Sequence, residues 1–285
     1  MSAAALQSEA RSRAAAVALK GIRADGRVQA TFRRIEGRTR VARLAERGGY
    51  RMLFPRPLSG RAEAVIVNTG GGVVGGDRIG FDVEAGPGAD VVVTTQAAER
   101  IYRSAGPSSE LRVQLQAGSE ARLAWLPQET ILFSGARLHR RIEVDVADDA
   151  TVLLAESTVF GRIASGEDVR GGSLQDVWHV RRGGRLVFAE ATRLDDVSKV
   201  TLARPAVLGQ ATAVALLLLV APDAEARLTA LRQTMHDARG EVGASAWNGM
   251  LVVRCAARAA QDMRRDVARA IPVLSGAALP RVWSN

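Results

Sequence analysis

A glycine-rich turn between two strand-like segments is the feature that most constrains how this chain folds. The apolar runs Val65–Val67 and Val91–Thr95 flank it, and Gly70, Gly72 and Gly75 match the spacing G-x-G-x-x-G. A dinucleotide site needs a helix directly after such a turn, and a phosphate-binding loop needs a following Lys-Ser or Lys-Thr pair. Here apolar residues instead occupy every second position after the turn, which is typical of a strand. The glycines are therefore expected to serve a β-turn, where they allow positive φ and a close approach of two backbones.

The length and charge of the chain limit its class and its partners. With 285 residues it can bury a sizeable core, which must be largely aliphatic because only 4% of the residues are aromatic. The net charge of +9 is compatible with nucleic acid, but Lys20 and Lys199 are the only lysines and no basic run is interleaved with aromatic residues. We therefore expect no nucleic acid binding, and acidic protein partners explain the charge equally well.

The single cysteine and the apolar segments indicate a compartment. Cys255 has no partner for an internal disulfide, which fits a reducing environment, and its apolar run Leu251–Cys255 predicts a buried, inert thiol. The N-terminal segment contains Arg11 and Arg13 but lacks the apolar core of a secretory signal. The longest apolar stretch, Ala211–Ala221, is too short to span a bilayer. We expect a soluble cytoplasmic protein with no membrane contact.

The chain divides into three predicted parts. Residues 1–25 are Ala-rich with scattered charge, which predicts a disordered or frayed segment. Residues 26–204 contain short segments of alternating apolar and polar side chains, such as Leu111–Gln116 and Arg141–Val146, and predict a mainly β body of layered or coiled sheet. Residues 205–285 are predicted to form a small α+β subdomain packed on that body. Further strands of the body are predicted at residues 27–34, 39–45 and 50–54.

The C-terminal part combines strand and helix patterns. Residues 211–220 predict a buried strand, and residues 223–235 place apolar side chains on one helical face. Residues 249–256 predict another strand, and residues 257–271 another helix, which Pro272 is expected to end.

Two apolar segments each carry one carboxylate. Thr151–Phe160 contains Glu156, and Arg185–Thr192 contains Glu190. Both segments are predicted to be interior strands. A buried charge without a partner is costly, so each glutamate is expected to be ion-paired, protonated or exposed to an aqueous cavity.

The sequence has few of the residues that hydrolytic or metal-dependent catalysis needs. His139, His179 and His236 lie neither in a nucleophile elbow nor at the close spacing of zinc ligands. No cluster of Cys and His predicts a tight metal site. A hydrolase with a carboxylate active site in the β body, built from Asp77 and Glu156, is kept as an alternative.

Five segments, taken together, point to a protein family. They are Asn68–Asp77, Thr94–Ser104, Trp125–Ile131, Gly161–Glu167 and Leu279–Trp283. In this order they resemble the urease accessory protein family UreD, also called UreH. Five ordered motifs are far more specific than one glycine-rich turn.

The resemblance implies nickel delivery rather than catalysis. Proteins of this family bind UreF, which binds the nickel-carrying GTPase UreG, and the assembly loads the urease apoprotein. The family fold is an all-β body of helically wound sheets with a small helical part. The proposed nickel route is a water-filled tunnel lined by acidic residues, so nickel(II) is expected in transit and no tightly bound cofactor is expected.

By motif position, the resemblance implies that Asp77, Glu156 and Glu190 line this tunnel, although Glu190 lies outside the five motifs. Widely spaced carboxylates in a wet channel attract nickel(II) without holding it. A second interpretation makes Asp77 a turn cap and pairs the two glutamates with an arginine, either Arg162 or Arg193.

The other motif residues are expected to pack, to shape the turn or tunnel, or to contact partners. Tryptophan buries a large area and is common at the centres of interfaces. Two residues of the fourth motif, Arg162 and Glu167, are expected to pair across a short loop, and His179 is interpreted as a strand histidine or a nickel ligand. The set comprises Asn68, Gly71, Gly72, Gly76, Arg100, Tyr102, Arg103, Trp125, Pro127, Glu129, Gly161, Arg162, Glu167, Arg281 and Trp283.

Overall fold

The computed structural model describes residues 23–56, 60–162 and 165–284, and it is built mainly of strands. Residues 1–22 of the predicted frayed segment lie outside the described residues, whereas Asp25 already belongs to the first strand. The strands are β1 (Asp25–Ile35), β2 (Arg38–Arg47), β3 (Tyr50–Leu53), β4 (Ala62–Asn68), β5 (Arg78–Ala85), β6 (Asp90–Thr95), β7 (Glu99–Ile101), β8 (Ser109–Ala117), β9 (Arg122–Leu126), β10 (Thr130–Leu132), β11 (Arg137–Val146), β12 (Thr151–Phe160), β13 (Ser173–Arg182), β14 (Arg185–Leu194), β15 (Ala213–Val220), β16 (Glu241–Trp247) and β17 (Met250–Ala257). The helices are α1 (Lys199–Leu202), α2 (Leu228–Thr234) and α3 (Ala260–Ser275), with 3-10 turns at Glu225–Arg227 and Arg281–Ser284.

The strands form two facing sheets around which the chain winds. The first sheet has the order β14-β13-β11-β8-β5-β1-β2, and the second has the order β16-β17-β15-β12-β9-β6-β4-β3 with β10 and β7 attached. From β4 to β13 the chain passes repeatedly from one sheet to the other, and the strands that stack along each sheet are parallel. This winding confirms the predicted mainly β fold of layered, helically wound sheets.

Two apolar layers hold the sheets together. Between the sheets, alternate residues of each strand meet, and Phe32, Trp178 and Leu123 are almost fully buried. On the far side of the second sheet, α3 presents Val267 and Leu274 to the outer residues of the sheet. The molecule therefore has three layers, of which the second sheet is the middle one. Within the described residues, no helix is long and apolar enough to cross a membrane.

Strand β12 occupies the centre of this arrangement. Its even-numbered residues, such as Leu154, face the first sheet, while its odd-numbered residues, such as Leu153, face the helical layer. Because both faces are covered, every residue of the strand after Thr151 is buried, including the polar residues Glu156, Ser157 and Thr158. The prediction of an interior strand at Thr151–Phe160 is confirmed.

The prediction of a second interior strand, at Arg185–Thr192, is wrong. This segment lies in β14, which is the edge strand of the first sheet and is largely exposed. A run of apolar residues does not distinguish a central strand from an edge strand, because the position in the sheet is decided by pairing with distant strands. Glu190 is consequently half-buried rather than enclosed.

The C-terminal part contains one strand more than predicted, because β16 forms a hairpin with β17. The predicted end of the last helix is also wrong, since Pro272 lies inside α3. The helix ends instead at Gly276, which adopts a left-handed conformation and donates its N–H to Pro272 O over 2.9 Å. The division of the chain at residue 205 stays a prediction, and β15 beyond it is hydrogen-bonded to β12.

Candidate functional site

The first two motifs form one packed unit. The backbone N–H of Tyr102 donates to Val73 O over 2.8 Å. A Cβ atom at Gly72, whose φ is +152°, would lie 2.3 Å from the ring of Tyr102, and one at Gly75 would lie 1.9 Å from Ser104 Oγ. Only glycine fits at these contacts, so the turn serves close backbone approach, as predicted.

Behind this turn, three polar side chains form a hydrogen-bonded group. Tyr50 Oη donates to Glu99 Oε2 over 3.0 Å, and Asn68 Nδ2 donates to Glu99 Oε1 and to Tyr50 Oη, each over 2.9 Å. Burial raises the pKa of Glu99, and the hydrogen bonds from Asn68 and Tyr50 oppose that rise. The motif residue Asn68 thus orients a carboxylate on β7.

A buried charge cluster lies between the two sheets. Arg140 on β11 is 3% exposed, and its guanidinium contacts Glu156 of β12 and Asp176 of β13. Arg140 Nε donates to Asp176 Oδ1 over 3.0 Å. On the other side of Glu156, Trp125 Nε1 donates to Glu156 Oε1 over 2.8 Å. Arg140 Nη1 also donates to the hydroxyl oxygen of Thr130 on β10 over 3.4 Å.

Strand register creates this cluster. Arg140 and Asp176 are directly opposite in the parallel pair β11–β13, and both occupy the core-facing positions of their strands. Burial opposes the charge of Arg140, but the carboxylates of Asp176 and Glu156 outweigh it and raise the pKa of Arg140. Burial likewise raises the pKa of Glu156, against the opposing effects of Arg140 and Trp125. With both carboxylates ionised, the cluster carries one more negative than positive charge.

A second pair lies further out on the same side of the molecule. Glu190 of β14 contacts the guanidinium of Arg254, which belongs to β17 in the opposite sheet. The pair therefore links the edges of the two sheets. Both glutamates are ion-paired, but the predicted partners Arg162 and Arg193 are wrong.

Those two arginines have other partners. Arg162 pairs with Glu167 over 3.1 Å, which confirms that prediction, and Arg193 pairs with Asp195 over 2.9 Å. Both form local pairs at the surface. Neither pair reaches the cluster between the sheets.

Two cavities meet at Glu156. The larger has a volume of about 760 Å³, lies between β13–β14 and β15–β17, and is lined by Arg140, Asp176 and Glu190 among others. The smaller has a volume of about 200 Å³ and is lined by Glu99, Trp125 and neighbouring residues. Glu156 belongs to the lining of both cavities. Carboxylates therefore occur in each cavity and in the wall between them.

Asp77 is placed differently from the two glutamates. Its Oδ1 accepts from Ala24 N over 2.8 Å, and its Oδ2 accepts from Val74 N over 2.9 Å. These bonds agree with the turn-cap interpretation, because they hold the entry to β1 against the glycine turn. Within the described residues Asp77 lines neither cavity that Glu156 lines, so the carboxylate pair of the hydrolase alternative is not brought together.

The third and fifth motifs meet through one arginine of α3. Arg264 pairs with Glu129 over 2.9 Å, donates to Trp283 O over 3.2 Å, and lies 5.1 Å from the centre of the Trp283 ring. Trp283 Nε1 donates to Leu126 O over 3.2 Å. The C-terminal motif is thus fastened to the end of β9, which also explains why Pro127 is buried there.

The fourth motif meets the second at an aromatic ring. Phe133 packs edge-on against Tyr102, with ring centres 5.0 Å apart, and carries the guanidinium of Arg162 at 4.4 Å from its centre. Gly161 donates its N–H to Leu132 O over 2.7 Å. The side chain of Arg103 lies against Gly135 in the same region. Arg103, Gly161 and Arg162 therefore pack against neighbouring parts of the fold.

The sulfur and imidazole ligands of the chain are not clustered. Among the described residues, no group of three or more His, Cys, Asp and Glu side chains is arranged to hold a metal ion. Cys255 is 4% exposed, which confirms the predicted buried thiol, and burial raises its pKa to about 12. His179 lies on β13, as expected of a strand histidine.

Sequence reasoning missed Arg140, Asp176, Glu99 and Arg254. Two of them had a local signal: Arg140 has the same parity as Ile142 on its strand, so a charge stood at a position where the pattern requires an apolar residue. Glu99 lies within the second motif, Thr94–Ser104. No local signal pointed to Arg254, which is brought to Glu190 only by the facing of the two sheets.

Comparison with known proteins identifies relatives that match this chain over most of its length. The chain matches the family model described as UreD urease accessory protein over residues 24–284. It is 49% identical over 254 residues to the urease accessory protein UreD of Methylobacterium sp. (strain 4-46), covering 87% of this chain and 90% of that protein. It is 49% identical over 263 residues to the protein of the same name from Xanthobacter autotrophicus, covering 92% and 91%.

A third relative, the urease accessory protein UreD of Rhodopseudomonas palustris (strain BisA53), is 48% identical over 263 residues, covering 92% of this chain and 91% of its own length. All three are named as accessory proteins, and the expectation that the chain is not an enzyme is confirmed. The matched region includes all five motifs and both cavities. The chain therefore belongs to the UreD family of urease accessory proteins.

Proposed function

We propose that this protein works in the cytoplasm with UreF and the GTPase UreG to deliver nickel to the urease apoprotein, and that nickel(II) passes through it by way of Glu156. UreF is the direct partner in this proposal, and UreG acts through UreF. The observation that carries the route is the position of Glu156 in the wall shared by the two cavities.

The chemistry of the lining supports passage rather than storage. Carboxylates occur along the route at Glu99, Glu156, Asp176 and Glu190, so oxygen ligands succeed one another. Nickel(II) accepts oxygen ligands and retains water, while imidazole and thiolate would bind it more tightly. A route of spaced carboxylates therefore favours entry without creating a deep trap.

In this proposal, Arg140 and its two carboxylate partners allow a cation, but not an anion, to pass the wall that the two cavities share. Its guanidinium satisfies Glu156 in the absence of an ion, so the carboxylate does not stay buried and unpaired. Because Asp176 holds the same guanidinium, Glu156 can turn to a passing cation while Arg140 keeps a partner. The net negative charge of the three groups attracts a cation and repels an anion.

The test is Glu156→Gln in the full assembly. Glutamine can still accept from Trp125 Nε1 but carries no charge, so the fold should persist while the attraction for nickel(II) is lost. We expect the variant to co-purify with UreF and UreG as the parent does. Urease activated with it should contain several-fold less nickel by metal analysis and show correspondingly lower activity.

Glu110→Gln is the matched control, because Glu110 is an exposed carboxylate on the outer face of the first sheet. It should load nickel normally. Full nickel content with Glu156→Gln would remove Glu156 from the route, and failure of the parent protein to bind UreF would remove the proposed assembly itself.

A further inference from the structure

The outer edge of the first sheet is open. Strand β2 is the last strand of that sheet and pairs with β1, and no other strand of the described residues pairs with it. It spans Arg38–Arg47, and nearly all of its residues are exposed. One row of its backbone N–H and C=O groups therefore faces away from the sheet, which is the arrangement that accepts an added strand.

The outward face of β2 is lined by arginines. Arg38, Arg40 and Arg43 lie opposite Ile35, Arg33 and Thr31 of β1, respectively. Arg43 shares this face with the other two because the register shifts by one residue at Thr31/Phe32. The register thus gathers three arginines on one side of a free edge.

Among the described residues, no carboxylate lies within 4 Å of Arg38, Arg40 or Arg43. Their neighbours differ in this respect, because Arg33 pairs with Glu84 over 2.9 Å and Arg47 pairs with Asp25 over 2.9 Å. Three arginines without an acidic partner among the described residues therefore follow one another along one face of the edge strand.

The inward face of β2 carries two apolar side chains that are only partly covered. Val41 is 39% exposed and Leu44 is 38% exposed, and they lie opposite the core residues Phe32 and Ala30. On the second sheet, the neighbouring Phe54 is 42% exposed and packs edge-on against Phe32. An added strand would cover this apolar rim, because side chains alternate between the two faces of a strand.

The pattern of β2 indicates what kind of strand fits. A second copy of β2 would set arginine against arginine, which is unfavourable across a strand pair. Residues 1–22 of this chain contain one acidic residue, Glu9, against Arg11, Arg13 and Lys20, so their charge is not complementary. Nucleic acid would match the arginines but would leave the apolar rim uncovered. A strand with carboxylates on one face and apolar side chains on the other satisfies both faces.

We propose that β2 is a docking edge for a partner protein, which adds an extended segment of alternating acidic and apolar residues. Its carboxylates meet Arg38, Arg40 and Arg43, and its apolar side chains cover Val41 and Leu44. This surface lies on the outer edge of the first sheet, apart from the two cavities.

The experiment measures binding of defined peptides to the full chain by fluorescence anisotropy. The probe is a short labelled peptide in which glutamate and valine alternate. Three competitors are used: a peptide of the same composition with its glutamates and valines in separate blocks, the alternating peptide with N-methyl groups on alternate amides, and a single-stranded oligonucleotide. The protein variant to be tested carries Arg38→Glu, Arg40→Glu and Arg43→Glu.

The control variant reverses the charge of three arginines on central strands of the same outer face, with Arg78→Glu, Arg137→Glu and Arg141→Glu.

We expect the alternating peptide to bind saturably, to weaken by about tenfold or more in the β2 variant, and to keep its affinity in the control variant. N-methylation should weaken binding, because it removes donors that strand addition requires. If the block peptide or the N-methylated peptide bound as tightly as the alternating peptide, binding would depend on charge alone and not on strand addition, and the proposal would be overturned. Tighter binding of the oligonucleotide, or no binding of the alternating peptide, would also overturn it.

Discussion

At the scale of single residues, Arg140 is the side chain on which most buried charge depends. It is the shared partner of Glu156 and Asp176, and both Arg140 and Glu156 are buried between the sheets. Removing the arginine leaves two carboxylates in a poorly solvated place, whereas removing one carboxylate leaves the arginine a partner.

We predict that Arg140→Met lowers the free energy of unfolding by about 3–5 kcal/mol near neutral pH, measured by urea denaturation. Arg193→Met, which breaks an exposed pair with Asp195, should leave it almost unchanged. An Arg140→Met protein as stable as the parent would show that the carboxylates are satisfied in another way.

The loss in Arg140→Met should depend on pH. A carboxyl whose folded pKa is raised, as burial does to Glu156, favours the folded state below its unfolded pKa, and that advantage disappears as the pH rises through the folded pKa. Without Arg140 only the hydrogen bond from Trp125 opposes the rise in the pKa of Glu156, so the variant should approach the parent in stability as the pH falls toward about 4.3. Urea titrations across this range measure the effect, and a pH-independent loss would contradict it.

Cys255 supports a second prediction at this scale. Burial raises its pKa to about 12, so the native thiol should react with iodoacetamide roughly a thousandfold more slowly than a free cysteine at the same mildly alkaline pH. Mass spectrometry follows the reaction, and the urea-unfolded chain provides the comparison. Rapid native alkylation would mean that the larger cavity, which Cys255 lines, exposes the sulfur.

At the scale of elements, the glycine turn connects β4 to β5 and packs against the segment that contains Tyr102. The turn and the Tyr102 segment are in contact at distances that leave no room for a side chain at Gly72. The motif therefore reflects the packing of two connections against each other, and not the binding of phosphate.

We predict that Gly72→Ala lowers the free energy of unfolding by about 1–3 kcal/mol, because it adds both backbone strain and a clash with Tyr102. The matched control is Gly106→Ala, where a Cβ would meet nothing within 4 Å, and it should change the value by less than about 0.5 kcal/mol. Thermal denaturation of the two variants measures the difference. Equal stability would indicate that the Tyr102 segment moves aside at little cost.

At the scale of the whole molecule, the second sheet contains strands from both sides of residue 205, where the sequence pattern predicts a boundary. Strands β15, β17 and β16 come after residue 205, yet they extend the sheet from β12 without a break in hydrogen bonding. Helix α3 then covers strands from both sides of that position, and Arg264 fastens the C-terminal motif to the end of β9.

From this shared sheet we predict one cooperative unfolding transition. Tryptophan fluorescence reports the space between the sheets through Trp125 and Trp178 and the part after residue 205 through Trp247 and Trp283, and far-ultraviolet circular dichroism reports the strands and helices together. The two signals should give the same midpoint in urea. Separate midpoints would show that the part after residue 205 is an independent folding unit.

The sequence by itself determined the strand class, the wound arrangement suggested by ordered motifs, and the interior position of Thr151–Phe160. The strand class and the interior position follow from local patterns, because side-chain alternation and turn glycines act over a few residues. The wound arrangement follows only from the resemblance of the five motifs to a family. The edge position of β14 and the inclusion of Pro272 in α3 escaped the same reasoning, since both depend on neighbours that are distant in the chain.

Only the tertiary structure decided which charges meet. Arg140 and Asp176 are 36 residues apart, and Glu190 and Arg254 are 64 residues apart, so no spacing rule relates them. Strand register and the facing of two sheets bring them within contact, and the same register places the unpaired arginines of β2 on one face. Local physics specified the strands, and long-range pairing specified the site.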